Sequence, residues 1–592
     1  MSVMSDQKPR LLVTTALEET WGSDEPLVFL GEWCQLYDRR DVWSKRKYVL
    51  VHHHWDDRTK LKRDYDYLQS LHKSILNNLS LALNEYHQVE QPTRYWQMIV
   101  DPWLLIYIAV IFDRWECLRV AFEEHAQFET KEVQRLPEYE PPCDYSDFIN
   151  QIAGDLWNYR LFLDIIRYRY SDRCLIQKTQ ISSEGRAPES SRPKLVRRSL
   201  AKTVGRYLDG IMCKVFSGNS ALFFMSYFPL PSLLRLNLAL RQVPCLYLKE
   251  FEWLPENDIP SDALPRERIT LAGPAENAFE SYLARRLVMD IPRAYIEDYS
   301  TIIKKVSRMP FKPRAIFSAN PHWHNELFKI YSAEQIHNRG VKFVTMTHGG
   351  AIPPQFGLMH FEEDIADIMT TWAIPHHPKH VQLPPNKLVG WKVQSSREYC
   401  AVLGLELPRY SWFAGSFPIT GQVLTHYHQV CELYRSLNND VQRSFRVRPY
   451  NDMGWNTKQR FIDALGAEKV STEQTYHQFL SSARIIVCTY PQTTFSEAMT
   501  SGLPTMLLYP AHLWETIPEL DPLLKDLKDA RIVFVNPHAA ADHLNEIWAE
   551  PDRWWNSLNV VNARQEFHHL ACKNDPDWLK QWTTFVKEVI AK

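Results

Sequence analysis

Residues 490–504, YPQTTFSEAMTSGLP, set two adjacent threonine hydroxyls where an apolar strand hands over to a helix. The free N–H groups of a helix start, with the positive end of its dipole, suit a phosphate. Thr493 and Thr494 would meet that phosphate beside Tyr490, and Glu497, one turn on, would accept from sugar hydroxyls. Gly502 is suited to the left-handed cap that ends a helix, and Pro504 cannot extend it. The plainer reading is that any strand–helix junction needs a polar cap, which threonine supplies.

Four further clusters follow expected strands. RVRPY (446–450) carries Arg446 and Arg448, two apart and so on one side of a strand, as a fork for phosphate or carboxylate. Its alternative is a solvated strand with surface ion pairs. THGG (347–350) puts His348 at a strand end, with Gly349 and Gly350 allowing backbone to pass close to a ligand. SANPHWHNE (318–326) offers Asn320 and His324 to a cleft. Its His322, His324 and Glu326 straddle a strand–helix turn without a companion ligand set, so no metal is expected. TTALEETW (14–21) presents Glu18 and Glu19 as general bases for an incoming hydroxyl, against a structural role for each. HHHWDD (52–57), after a later strand of the same expected sheet, cannot turn three consecutive histidines onto one metal.

These residues need strands to carry them. RLLVTT (10–15), PLVFLG (26–31) and KYVLVH (47–52) read as strands, followed by helical periodicity from about 60 to 125 and again over 145–170. QISSEGRAPESSRPK (180–194) reads as a mobile linker. KLVRRSLAKTVGR (194–206) is read first as a solvated helix face, and second as a contact for anionic lipid or acceptor. From 220, ALFFMSY, CLYLKEF (245–251), RAIFSAN, VKFVTM and DIMTTWA alternate with helices. From 410, WFAGS (412–416), RSFRVRPY, IIVCTY, TMLLYP and RIVFVN repeat the pattern. Ser471–Gln474 is read as a structural capping box. The alternation predicts parallel sheets covered by helices, with ligands beyond the carboxyl ends of the strands.

A chain of 592 residues exceeds one core, and 45% apolar content with 12% aromatics excludes wholesale disorder. Net charge −2 gives no global attraction to nucleic acid, so no nucleic-acid partner is expected. Ten cysteines without a C-x-x-C pair fit reduced thiols in a reducing compartment. No apolar leader opens the sequence, and WLLIYIAVIF (103–112) is half the length of a bilayer crossing, hence a core helix. A cytoplasmic protein is expected, in peripheral contact with the inner membrane face on the second reading of 194–206.

Taken together, TTALEETW, LGEWC (30–34), RYWQMIVDPWL (94–104), THGGAIPPQFG, DIMTTWA, RVRPYNDMGW and TTFSEAMTSGLP resemble the bacterial surface-polysaccharide (O-antigen and capsule) transferase family. The resemblance runs from about 10 to 585 and is similar in style to CMP-nonulosonic acid and Kdo transferases. It implies a GT-B-like α/β fold, two Rossmann-like parallel domains facing across a cleft. Residues 1–390 would form the acceptor-side domain with a helical insertion at about 60–210. Residues 391–575 would bind the nucleotide sugar, and 576–592 would form a terminal helix packing back on the first domain.

The resemblance further implies a glycosyltransferase that moves pseudaminic acid, legionaminic acid or Kdo from a CMP-activated donor. The acceptor would be an oligosaccharide or lipid-linked glycan, with inversion and neither metal nor cofactor. Arg446, Arg448, Thr493 and Thr494 would hold the CMP phosphate and Glu497 the ribose. His348 would sit at the donor carboxylate or phosphate, and Glu18 or Glu19 would be the base. A sugar-nucleotide epimerase of the same fold and a non-catalytic polysaccharide-binding protein are the alternatives.

Overall fold

The structure, a computed structural model, describes residues 10–23, 25–179, 220–243, 251–252, 264–271, 275–350, 352–473 and 475–591. The expected linker (180–194), the basic segment (194–206), most of the expected strand 245–251 and Gln474 lie outside these residues.

Fifteen strands among the described residues form three five-stranded sheets, every neighbouring pair parallel. The first contains β1 (Arg10–Val13), β2 (Leu27–Phe29), β3 (Tyr48–Leu50), β4 (Phe128–Val133) and β5 (Cys174–Thr179), in the order β3-β2-β1-β4-β5. The second contains β6 (Ala221–Phe224), β7 (Ala315–Ser318), β8 (Lys342–Met346), β9 (Ile368–Thr371) and β10 (His380–Gln382), in the order β10-β9-β8-β7-β6. The third contains β11 (Tyr399–Leu403), β12 (Phe445–Arg448), β13 (Ala483–Cys488), β14 (Thr505–Leu508) and β15 (Val533–Phe534), in the order β12-β11-β13-β14-β15. Central strands such as Leu11–Val13 and Ile485–Cys488 are buried on both faces, as a helix-covered parallel sheet requires.

The parallel α/β class expected from the sequence is present, with one sheet more than the two anticipated. The segment read as a helical insertion also supplies β4 and β5, which complete a sheet begun by β1–β3. Its long helices, Arg58–His87 and Thr93–Glu124, pack against each other. The second is long and apolar enough to cross a membrane, yet 94% of its most apolar window is buried inside the protein. It is the spine of a core that runs without a break from Leu11 and Val28, through Trp103 and Ile108, to Phe328 and Phe343. The first two sheets are thereby one hydrophobic body.

The third sheet has its own cores on its two faces, around Phe495 and Leu507 on one side and Val447 and Val487 on the other. The terminal helix Trp578–Ala591 returns to the second sheet and buries Trp582, Phe585 and Val586 against Phe228 and Phe317.

Two local expectations change. WFAGS is not a strand: β11 takes that place in the third sheet, and 412–416 is irregular backbone. The capping box before the helix Tyr476–Leu480 lies at Thr475 and Gln478, because the Ser471 hydroxyl is spent on Glu473.

Candidate functional site

The carboxyl ends of the second and third sheets open into one cleft of about 1180 Å³. From the second sheet come Tyr227 after β6, Asn320 and His324 after β7, and His348 after β8. From the third come Gly404 after β11, Arg448 at the end of β12, and Tyr490, Thr493, Thr494 and Glu497 after β13. Eight of the residues singled out in the sequence thus share one cavity, because each follows a strand that points the same way.

The helix Thr493–Ser501 forms the floor on the third-sheet side and stops at Gly502 with φ +80°. The HGG turn lies directly against its start. The Gly350 N–H donates to Thr493 Oγ1 at 3.0 Å, and Gln492 Nε2 donates to the Ile352 carbonyl at 3.1 Å. A methyl group on Gly349 would overlap the Thr493 hydroxyl. One on Gly350, where φ is +80°, would come within 2.8 Å of Gln492 Oε1. The two glycines let the sheets' turns meet across the cleft rather than line it themselves.

Arg448 faces the cleft with no acidic partner and no hydrogen bond among the described residues, and its Nε is buried. Arg446 does not join it. Its guanidinium stacks on Tyr399 at 4.9 Å and donates to the Phe445 carbonyl, so the expected arginine fork reduces to one residue. Glu497 does reach the cleft, but Lys387 from the second-sheet side meets it at 2.6 Å. Burial raises the Glu497 carboxyl, and Lys387 opposes that rise.

His348 stacks on Tyr227 with ring centres 5.6 Å apart, and its Nδ1 is buried without a partner. Burial lowers its pKa from 6.5, with His322 and Lys387 adding to the effect and Glu362 opposing it. His324 is lowered to about 4, again by burial first. Both imidazoles are therefore neutral near pH 7. Glu362 lines the same wall and accepts from Trp323 Nε1 at 2.7 Å, with His322 Nε2 at 3.2 Å and Ser318 Oγ behind that histidine at 2.8 Å. Burial pushes the Glu362 carboxyl up, but His322 and His348, with the Trp323 N–H, outweigh it and hold the group below the ordinary range.

Glu18 and Glu19 are not in this cleft. They form a one-turn helix after β1, at the rim of the first sheet, and Glu18 is held by Arg39 at 2.7 Å on the exposed surface. Of the rejected metal set, His322 serves Glu362, and Glu326 is buried against Lys329 at 2.7 Å.

The sequence reading gave no role to Lys387, Glu362 or Glu406, nor to the loop that walls the cleft with Trp412, Phe413 and Phe417. That loop is tied to the N-terminal body by Arg409 on Asp155 at 2.6 Å, Tyr410 on Asp155 at 2.6 Å, and Arg114 on the Ser411 carbonyl at 2.9 Å. Glu406 accepts from the N–H groups of Met453 and Trp455 at 2.8 and 2.9 Å, which fixes the NDMGW turn next to Arg448. The run of aromatics in SWFAGSF was the available signal, and it was spent on a strand.

The model of the LIC12162 family transferases matches residues 10–586. The chain belongs to that family. Its members are transferases, and the match takes in every strand of all three sheets. No curated protein matches.

Among solved structures, this family member is similar to TarM at 11% identity, over 46% of this chain and 54% of TarM, with a TM-score of 0.29. It is similar to the UDP-GlcNAc 2-epimerase from Neisseria meningitidis bound to UDP-GlcNAc at 11% identity, over 50% and 81% of the two chains, with a TM-score of 0.30. The lipopolysaccharide glycosyltransferase WaaG matches at 11% identity, over 49% and 95%, with a TM-score of 0.25. Scores of this size carry no argument about this chain, and its architecture rests on its own strand order.

Proposed function

We propose that this transferase is a GT-B-type glycosyltransferase that moves an acidic sugar, a nonulosonic acid or Kdo, from a CMP-activated donor to a glycan hydroxyl. The observation that carries the reading is Arg448, a cation with a buried nitrogen and no counter-ion, on the cleft wall shared with the start of the Thr493 helix. Arg448 is half-buried, and a guanidinium nitrogen buried without a partner is costly unless an acceptor completes it. A phosphate bridging Arg448 and the helix start would do so, and both would stabilise the charge of the departing nucleotide. Lys387 supplies a second cation for the donor carboxylate or phosphate when Glu497 turns to the ribose.

No metal is needed in this scheme. The carboxylates of the cleft, Glu362, Glu406 and Glu497, are each already engaged by protein donors. Neutral His348 is the base in place of Glu18 or Glu19. It would take the proton of the acceptor hydroxyl as that oxygen attacks the anomeric carbon, and the Glu362 carboxylate beside it would stabilise the imidazolium formed. Attack opposite the leaving phosphate gives inversion. The aromatic wall Trp412, Phe413 and Phe417 offers apolar faces for the acceptor.

A thermal-shift panel of CMP, UDP and GDP tests the donor class. Stabilisation by CMP is expected, and stabilisation by UDP or GDP without CMP would overturn it. Turnover of the donor with no acceptor present would instead favour an epimerase.

A further inference from the structure

Outside the cleft, two groups of side chains among the described residues converge closely enough to share a metal ion, and only the second leaves its histidine nitrogens free for one. In the first, His53, His54, Asp113 and Cys117 are all buried together. The Trp55 N–H donates to His53 Nδ1 at 3.2 Å, and the Lys60 ammonium faces His54 Nδ1 at 3.3 Å. A ring whose Nδ1 accepts carries its proton on Nε2, and both Nε2 atoms face Asp113 Oδ1 at 3.0 Å. A nitrogen that bears a proton is no ligand. This group is a buried polar anchor between the first sheet and the long helix.

The second group differs. The turn HHPKH (376–380) between β9 and β10 is closed by the His380 N–H on the His377 carbonyl at 3.0 Å, which sets the rings of His376 and His380 edge to face, 4.5 Å apart. The Lys379 ammonium reaches back to the carbonyls of Glu363 and Asp364, at 2.6 and 3.2 Å, at the end of the helix Met359–Ile365. That latch fixes Glu363 against the turn. Its Oε1 lies 3.0 Å from His380 Nε2 and 3.9 Å from His376 Nε2. The His380 side chain is fully buried, yet neither of its nitrogens has a partner in hydrogen-bond geometry. Its Nε2 is close to the carboxylate but not aligned with it.

We infer that Glu363, His376 and His380 form a divalent transition-metal site, of the zinc class, on the outer side of the helix that carries Glu362 into the cleft. Two imidazoles and a carboxylate are zinc donors, and ligands at about 2.0–2.1 Å in a tetrahedron stand about 3.3 Å apart, between the two separations found. His377 is excluded because its Nδ1 accepts the Lys379 N–H at 3.3 Å. Glu363 and His376 are partly open to solvent, which leaves an entry path and room for water at the fourth position.

Bound ion would clamp the turn to the helix, and so hold Glu362, the next residue, beside His348. The site does not depend on the sugar-transfer reading.

Full-length protein stripped with a chelator and titrated with Zn²⁺ alone tests it, by calorimetry and by metal content after gel filtration. One zinc per chain is expected, with a rise in Tm. His380→Ala and Glu363→Gln should each weaken binding at least about tenfold, and His377→Ala should leave it unchanged. The more exposed His376→Ala, which carries less folding risk, should weaken it likewise. Zinc uptake equal in all four variants, or none in the wild type, would overturn the site and leave an ordinary histidine–carboxylate pair.

Discussion

The Gly350 N–H donates to the Thr493 hydroxyl at 3.0 Å, joining the turn after β8 to the helix after β13. The second and third sheets thus meet at the point proposed for the phosphate. Gly349→Ala places a methyl group on that hydroxyl, and Gly350→Ala is strained at φ +80°. Each change should cost about 1–3 kcal/mol locally. Donor affinity should fall roughly 10- to 100-fold with little change in Tm, as read by calorimetry with the nucleotide beside a melting curve.

Arg448 and Arg446 separate the cleft from the rest of the strand. Loss of a charged hydrogen bond costs about 2–3 kcal/mol, so Arg448→Ala should lower kcat/KM roughly 30- to 150-fold. Lysine at 448 should recover only part of this, since it lacks the fork. Arg446→Ala, which loses a stack on Tyr399 and hydrogen bonds to the Phe445 and Arg443 carbonyls away from the cleft, should stay within about threefold of wild type. Equal losses at the two positions would remove Arg448 from the phosphate.

Glu18→Gln and Glu19→Gln test where the base is not. Glu18 is bound to Arg39 on an exposed rim, and an exposed pair is worth about 0–1 kcal/mol. Both variants should keep kcat within about threefold of wild type, whereas Glu362→Gln should lower it strongly. A dead Glu19→Gln protein with normal Tm would return the base to the first sheet.

How far the sequence carries can be judged from these same residues. Short apolar runs such as IIVC and TMLL were legible because a strand buried on both faces must be apolar throughout. FETKEV and CLIQKT were not, since β4 and β5 mix charge into the strand. YCAVL and WFAGS have similar apolarity, and only tertiary packing decides that the first is β11 and the second walls a cleft. The rule that ligands bind beyond the carboxyl ends of strands pointed to His348, Arg448 and Thr493, which the structure brings into one cleft. It also selected Glu18 and Glu19, because it holds sheet by sheet and says nothing of which rims face each other. Glu362 lies on a helix and Lys387 follows β10, a strand the sequence reading did not anticipate, so packing delivers both.

Acid pH should separate His348 from the fold that holds it. Burial sets its pKa below 6.5, so as a base it is fully available at pH 7 and is lost as pH falls through that lowered value. Log kcat/KM should be level from pH 7.5 to about 6.5 and then drop with a slope approaching 1. His348→Asn should remove most activity together with that limb. Stability moves in the same direction and must be read alongside. His324 is held at about 4 and His54 at about 3, both by burial first. The unfolded chain would protonate such groups near 6.5, so it binds more protons than the folded one between these values. Stability is then fullest above about pH 6.5 and declines as pH falls toward 4. Melting curves at each pH therefore decide the assignment: a rate that falls while Tm is still well above the assay temperature belongs to His348, whereas a rate that falls only where the protein melts belongs to the buried histidines.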